Sequence, residues 1–503
     1  MGVIFNEDPN HFVYTRAQAG VTELSEKDLT DFIDGYSKTN ITDFLICVNA
    51  SLPHFRTKKI ESVCDKYRAW EKSGKLCGRE NDPIIKSSRL LCETLEKGID
   101  IHNIWIERLR KNGIKAWISI RMNDIHNAGD ADAFLPSGFS ASHPEYRRAG
   151  YRTPSGYYEY ALDYTFPQVR EYYLAVISEA LDAFDADGIE LDFMREIYCF
   201  GAGREYAGVA IMTEFIESAV RLVREKEKER GHKINIGVRL PDSPEKALRL
   251  GFDVVGWIDR GYFDLITVSP RWSSSDSDMP IDFWKRLVLG KNIRLAAGLE
   301  VLLDAYNRRG RKYLFCTAEV TLGMACAYTS LGADDIYLFN YMDNIDPDDL
   351  MTKPLFSKEN YRNFLCTVGD EEKQISSSRR HVLTYNDVSA IGFAARRPLP
   401  MSVSGGFSAV RIPTGKIPKE KNVTLVIGAE CGDDFSGDSL TVYANARKCE
   451  FIGKVGTPEC AYDDMRYFAY SMENDGNIPF VTVAEFSSAG ESIRLHWAEI
   501  DIK

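Results

Sequence analysis

The sequence predicts an α/β protein, a (β/α)8 TIM barrel followed by a small all-β sandwich. Three observations predict it. Eight short apolar runs that end in polar residues alternate with helical patterns as far as Tyr341, the alternation then stops, and short β-rich runs separated by Gly, Asn and Asp follow. At 503 residues the chain also exceeds one ordinary core. The expected layout is a barrel over 1–350 with a long insertion at about 51–114, a linker over 351–380, and an accessory sandwich over 381–503.

The eight predicted barrel strands are Asp43–Asn49, Ala116–Ile120, Tyr160–Asp163, Gly188–Phe193, Ile234–Leu240, Phe263–Ser269, Leu295–Leu299 and Asp335–Asn340. The clearest helix is Pro167–Phe184, where Val169, Tyr172, Tyr173, Val176, Ile177, Ala180, Leu181 and Phe184 recur at three- and four-residue spacing. Thr165 is its expected cap, with Pro167 in the first turn. A second helix spans roughly Glu205–Glu229 and stops at Gly231; its charged tail reads as a solvated face. The insertion reads as a loop plus helices over one barrel face. Sandwich strands are expected at Val382–Tyr385, Ala409–Ile412, Val423–Ile427, Leu440–Ala444, Phe480–Phe486 and Ser492–Ile502.

Composition excludes several classes of function. Lys and Arg total 62 against 74 Asp and Glu, a net charge of −12, so most of the surface repels polyanions and nucleic acid is not an expected partner. No apolar run has the roughly 18 residues of a membrane span, and Met1–Asn10 lacks a secretory pattern, which points to a cytoplasmic location. Eleven cysteines without a CxxC pair read as free thiols, and eight histidines without HxH or HExxH spacing call for no metal and no cofactor. Oligomeric state is not legible.

In a parallel barrel the reactive groups project from the C-terminal strand ends, where the loops converge. The predicted ends supply Asn49 and His54; Arg121, Asn123, Asp124 and His126; Asp163; Asp192, Arg195 and Glu196; Arg239 and Asp242; Arg271 and Trp272; Glu300; and Asn340 and Asp343. Any one of these fits a loop hydrogen bond or a surface ion pair, but acids and arginines after so many apolar runs are costly to hold without polar partners. The sharpest segment is Phe184–Glu196, FDADGIELDFMRE, whose alternation turns Glu190 and Asp192 into the barrel. An internal ion pair with Arg121 or Arg239 is the competing explanation.

That segment resembles the DG-x-hydrophobic-x-D fourth-strand signature of glycosyl-hydrolase-like barrels. Together with Ala161–Gly188, RMNDIHN at Arg121–Asn127, AGLE at Ala297–Glu300 and LFNYMD at Leu338–Asp343, the chain is similar to a large bacterial group of such barrels that carry a C-terminal β-sandwich. The resemblance implies the fold and a carbohydrate substrate without naming the sugar. Two departures stand out. Aligned on Asp187-Gly188, the family-18 chitinase signature DGxDxDxE meets Glu190, Asp192 and then Met194 in place of the acid that protonates the leaving group. The retaining clan's Asn-Glu after strand four is also missing, although Glu300 matches its strand-seven glutamate. The acid assignment therefore stays open among Asp192, Glu300, Glu196 and Asp124.

Glycoside hydrolysis needs one carboxyl to protonate the leaving oxygen and one to attack carbon or activate water; Asp192 and Glu300 are the preferred pair. Substrate contacts are expected from Asn49, Arg121, Asn123, His126, Arg195, Arg239, Arg271, Trp272, Asn340 and Asp343. Four arginines at the mouth suggest an acidic or sulfated sugar, unless they neutralise the site's own acids. Trp272 suits stacking on a sugar or simple packing. Asp192 walled off from solvent, or pointing away from every other acid named here, would end the hydrolase reading. Alternatives are a non-catalytic carbohydrate-binding barrel and a lyase- or isomerase-type barrel; the latter commonly has phosphate-binding glycines after strands seven and eight, which GLEVLLD and FNYMDNI lack. In the sandwich, Tyr443, Asn445, Trp497 and Glu499 are possible sugar contacts, with a structural module as the default.

Overall fold

The computed structural model describes residues 1–153, 156–270, 274–304, 314–342, 358–384, 398–490 and 492–503. Eight parallel strands close a barrel: β1 (Gly2–Glu7), β2 (Ile41–Cys47), β3 (Lys115–Arg121), β4 (Gly188–Asp192), β5 (Asn235–Pro241), β6 (Leu265–Ser269), β7 (Arg294–Glu300) and β8 (Asp335–Phe339). Closure runs through β1, which pairs with β2 on one side and β8 on the other.

Two expectations fail together here. Tyr160–Asp163 is not a barrel strand: Tyr157–Tyr160 is a 3-10 turn, and Leu162 bridges Arg147. The missing strand is instead Gly2–Glu7, GVIFNE, ahead of the first expected strand at Asp43–Asn49. Asp163 serves the loop, accepting from the backbone N–H groups of Thr165 (2.9 Å) and Gly201 (3.2 Å). The helix Pro167–Ala183 accordingly begins after Phe166, without the Thr165 cap. The long helix Glu205–Arg230 ends at Gly231, whose φ of 76° is the left-handed conformation glycine adopts freely.

Most of the apolar core lies between the outer faces of the strands and the surrounding helices, where Val3, Phe5, Ile189, Leu191, Val238 and Ile336 are fully or almost fully buried. A smaller cluster fills the barrel interior: Ile4, Leu45, Trp117, Leu265, Ala296, Tyr337 and Phe339. Gly188 makes room for the largest of these, since a Cβ there would lie 2.3 Å from the Trp117 ring. The insertion folds as helices Val63–Lys72, Pro83–Glu96 and Ile101–Lys111.

The stretch expected as a linker holds the helices Lys358–Leu365 and Glu371–Ser376, with the Tyr361 hydroxyl donating to the carbonyl of Tyr341 at 2.6 Å. The sandwich follows. One antiparallel sheet orders Arg379–Val382, Ile493–Ile502, Val423–Glu430, Arg466–Met472 and Glu450–Val455; the other orders Ser408–Pro413, Val481–Ser488, Leu440–Ala444 and Arg447–Lys448. Leu425, Ile427, Val442, Phe486, Leu495 and Ile500 form the core between them.

The first sheet turns its other face to the barrel. Gly323, in helix Ala318–Ser330, lets that helix lie on the strand Arg379–Val382, because a Cβ would meet the Arg380 carbonyl oxygen at 2.1 Å. Trp497 and Glu499 are buried in this contact: the indole N–H donates to Glu499 (3.1 Å), and Arg380 pairs with the same carboxylate (2.6 Å). Both residues are thus buried and tied up within the sheet, and present no sugar-binding face.

Candidate active site at the C-terminal rim of the barrel

Strand register aligns Arg121, Asp192 and Arg239, and the Arg239 contact brings in Glu300 from β7. Arg121, Asp192, Arg239 and Thr267 are consecutive cross-strand partners on β3 to β6, and Glu300 on β7 pairs with Phe339 on β8. Alternation then turns Arg121, Asp192, Arg239 and Glu300 into the barrel.

Arg239 organises one half of the rim. It donates through Nη1 to Asp192 Oδ2 (3.1 Å), through Nη2 to Glu300 Oε1 (3.4 Å) and through Nε to Ser269 Oγ (3.1 Å), with its guanidinium 3.6 Å above the Phe339 ring. The remaining carboxylate oxygens are also occupied. Asp192 Oδ1 accepts from the Met194 N–H (2.8 Å), and Glu300 Oε2 accepts from the Asn340 amide (2.9 Å). Asn340 reaches it from a left-handed backbone with φ 60°. The two carboxylates, from strands over a hundred residues apart, thus share one cation; both are 1% exposed.

Arg121 organises the other half. Its Nη2 pairs with Asp8 (3.0 Å) and its Nη1 with Asp124 (3.2 Å). Asp124 also receives His126 Nδ1 at 2.6 Å and lies 3.8 Å from Arg195 Nε. Arg195 Nη2 meets His126 Nε2, so a neutral ring carrying its proton on Nδ1 satisfies both contacts. Desolvation, partly opposed by Asp124, holds the His126 pKa below its ordinary value. Burial would raise the Asp124 pKa, but His126, Arg121 and Arg195 outweigh it and push it well below the usual carboxylate range. Asp8 is lowered in the same sense, with Arg121 and His54 overcoming its burial. His126 is the open member of this set, its side chain 31% exposed.

Beneath the rim lies Glu190, fully buried. Ser119 Oγ (2.7 Å) and the Tyr337 hydroxyl (3.1 Å) both donate to its Oε1, while Oε2 has no partner. Burial, reinforced by neighbouring Asp192, pushes its pKa up to about 8. Asn6 Oδ1 and Thr267 Oγ1 are likewise buried without hydrogen-bond partners.

The structure thus brings Arg121, Asp124, His126 and Arg195 into one cluster and Asp192, Arg239, Glu300 and Asn340 into another. Asn49 and Asn123 serve the backbone. Asn49 accepts from the Arg121 N–H and donates to the Arg121 carbonyl (both 3.0 Å), and Asn123 does the same with Leu162 (both 2.9 Å). Glu196 is buried. Arg271, Trp272 and Asp343 lie outside the described residues. Asp8 is the rim acid that sequence reasoning missed; its signal is the apolar run VIFNED, of the same form as the recognised strands.

Among the described residues, no group of three or more His, Cys, Asp or Glu side chains is placed to hold a metal ion, and no helix is long and apolar enough to cross a membrane. All eleven cysteines are free.

No protein-family model matches the chain, and no curated protein matches it. Solved structures do superpose. The PgaB (BpsB) glycoside hydrolase domain from Bordetella bronchiseptica shares 10% identity over 72% of this chain and 98% of its own, with a TM-score of 0.42. α-L-Fucosidase isoenzyme 2 from Paenibacillus thiaminolyticus shares 11% over 68% of this chain and 45% of its own, with a TM-score of 0.39, so this chain spans under half of that enzyme. A chitinase from Chromobacterium violaceum shares 10% over 75% and 99%, with a TM-score of 0.34. Likeness at this level carries no inference about what the present chain acts on.

Proposed function

We propose that the protein hydrolyses a glycosidic bond at the C-terminal rim, using Asp192 and Glu300. One observation carries the reading: two carboxylates from β4 and β7 converge on a single guanidinium at the end of the barrel where substrates bind. A buried arginine between two buried acids is a weak source of stability, which makes a functional role for the trio the better account.

In this reading one carboxyl of the pair attacks carbon or activates water and the other gives its proton to the leaving oxygen. Asp124 and Glu196 remain the alternative acids, with His126 the rim group most open to an incoming hydroxyl.

Both carboxylates are 1% exposed, and Asp192 closed off in this way is the outcome set above against the hydrolase reading; it favours a second reading, a carbohydrate-binding barrel without turnover. One experiment separates the two. Release of reducing ends is measured over a panel of oligosaccharides for the parent and for Asp192→Asn, with thermal unfolding as the fold control. Hydrolysis predicts a loss of about 10³-fold or more at an unchanged unfolding temperature. Full activity in Asp192→Asn removes Asp192 from the mechanism, and glycan binding by a parent that cleaves nothing establishes the binding barrel.

The rim arginines by themselves do not argue for an acidic sugar. Arg121, Arg195 and Arg239 are each engaged by the site's own acids or by His126.

A further inference from the structure

Beside the rim lies a cleft of about 770 Å³ that the proposed reaction does not use. One wall is the helix Val63–Lys72 with its flanks, and the other is formed by Ala128–Ala133 and Pro144–Thr153. The loop that follows β3 joins it to the active site, carrying Asp124 and His126 at the rim and Ala128–Asp130 at the cleft.

From this arrangement we infer that the cleft is a subsite for the anionic groups, carboxylate or sulfate, of an oligosaccharide whose scissile bond lies at the rim. The inference rests on the hydrolase reading for the place of the bond and on the cleft alone for the charge.

Four cations line the cleft against two acids, in a chain whose net charge is −12. Two of the cations are already engaged: Lys66 donates to the Pro136 carbonyl, and Arg152 pairs with Glu159. Lys75 and Arg147 form no ion pair among the described residues. Arg147 donates through Nη2 to the Ser140 carbonyl (3.3 Å), and its Nε is buried without any hydrogen-bond partner. A buried guanidinium N–H left unpaired is costly, and an anion would satisfy it.

The acids are turned away from this task. Glu61 Oε2 accepts from the Gly138 N–H (2.7 Å) and Asp130 Oδ1 from the Asp132 N–H (2.9 Å). The aromatic groups suit a sugar. The Arg147 guanidinium sits 5.3 Å from the Tyr160 ring and the Lys75 ammonium 5.4 Å from the Trp70 ring, while Tyr151 is 82% exposed at the cleft edge. Rings and cations brought together in one groove match a chain that carries both apolar CH faces and charged substituents.

The test measures calorimetric binding on Asp192→Asn, so that cleavage does not consume the probe. The probes are oligogalacturonate and sulfated dextran oligosaccharide, each paired with its neutral counterpart, the methyl ester and unsulfated dextran. At least one anionic chain should bind about tenfold or more tightly than its counterpart, and Lys75→Ala with Arg147→Ala should remove about that factor. Lys75→Ala alone, at an exposed position, should give part of the loss with no effect on unfolding temperature. Binding of neither anionic chain, equal binding of the neutral chains, or an unchanged double variant overturns the proposal. Cleavage of a neutral glycan with a KM indifferent to the double variant defeats this inference alone; cleft binding without turnover in the parent defeats the hydrolase reading alone.

Discussion

The barrel carries an ion-pair network at each end, and the two are built differently. At the N-terminal floor, Arg294 pairs with Asp43 (2.9 Å) and Asp335 (2.8 Å), the Trp117 indole donates to Asp43 (2.9 Å), and the Gly2 N–H donates to Asp335 (3.0 Å). Every acid oxygen there has a donor: Asp43 Oδ2 also receives Thr42 (2.8 Å). At the C-terminal rim, three arginines hold Asp8, Asp124, Asp192 and Glu300, yet Arg121 Nε, and Glu190 Oε2 just beneath, have no partner. The floor closes every bond of its acids; at the rim the Arg239 half is closed as well, and the open atoms belong to Arg121 and Glu190.

The sharpest way to break this comparison is to remove each central arginine. Arg239→Met leaves the carboxylates of Asp192 and Glu300 buried without their shared cation, and a loss of about 3–5 kcal/mol in urea unfolding is expected. Turnover should vanish with it. Arg294→Met should cost less, about 2 kcal/mol, because Arg294 is a third exposed and water replaces part of its charge. Activity per folded molecule should be unchanged. If turnover falls equally in both variants, the division between a structural floor and a functional rim is wrong.

Glu190 sharpens the comparison with a smaller effect. Its folded pKa is raised from 4.5 to about 8, so its protonated form favours the native state. That contribution is complete below pH 4.5 and is lost as pH rises through about 8. Glu190→Gln should therefore flatten the fall in unfolding free energy between these limits, and match or exceed the parent's stability above pH 8. An unchanged slope would show that Glu190 does not titrate there.

Much of this was legible in the sequence. Seven strands, the long helices and the sandwich followed from periodicity, and Asp192, Arg239 and Glu300 followed from reading strand ends. The errors share one cause. Tyr160–Asp163 has strand-like residues but too few of them, and local contacts to Thr165, Gly201 and Arg147 decide its shape. GVIFNE at the start of the chain lacked a preceding helix to mark it as part of the alternation, so Asp8 was lost with it. Pairing was the illegible part. Sequence names acids and arginines, but which cation serves which acid depends on side chains meeting across strands up to 251 positions apart.

The seam between β1 and β8 has a consequence for how the chain folds. Residues 2–7 wait for residues 335–339 before their second edge is covered, a loop closure longer than most of the molecule. During synthesis β1 can pair with β2 early, but the ring stays split until β8 leaves the ribosome. A nascent chain halted before Asp335 should therefore expose a raw sheet edge and be taken up by chaperones, and one extended past Phe339 should shut and be released.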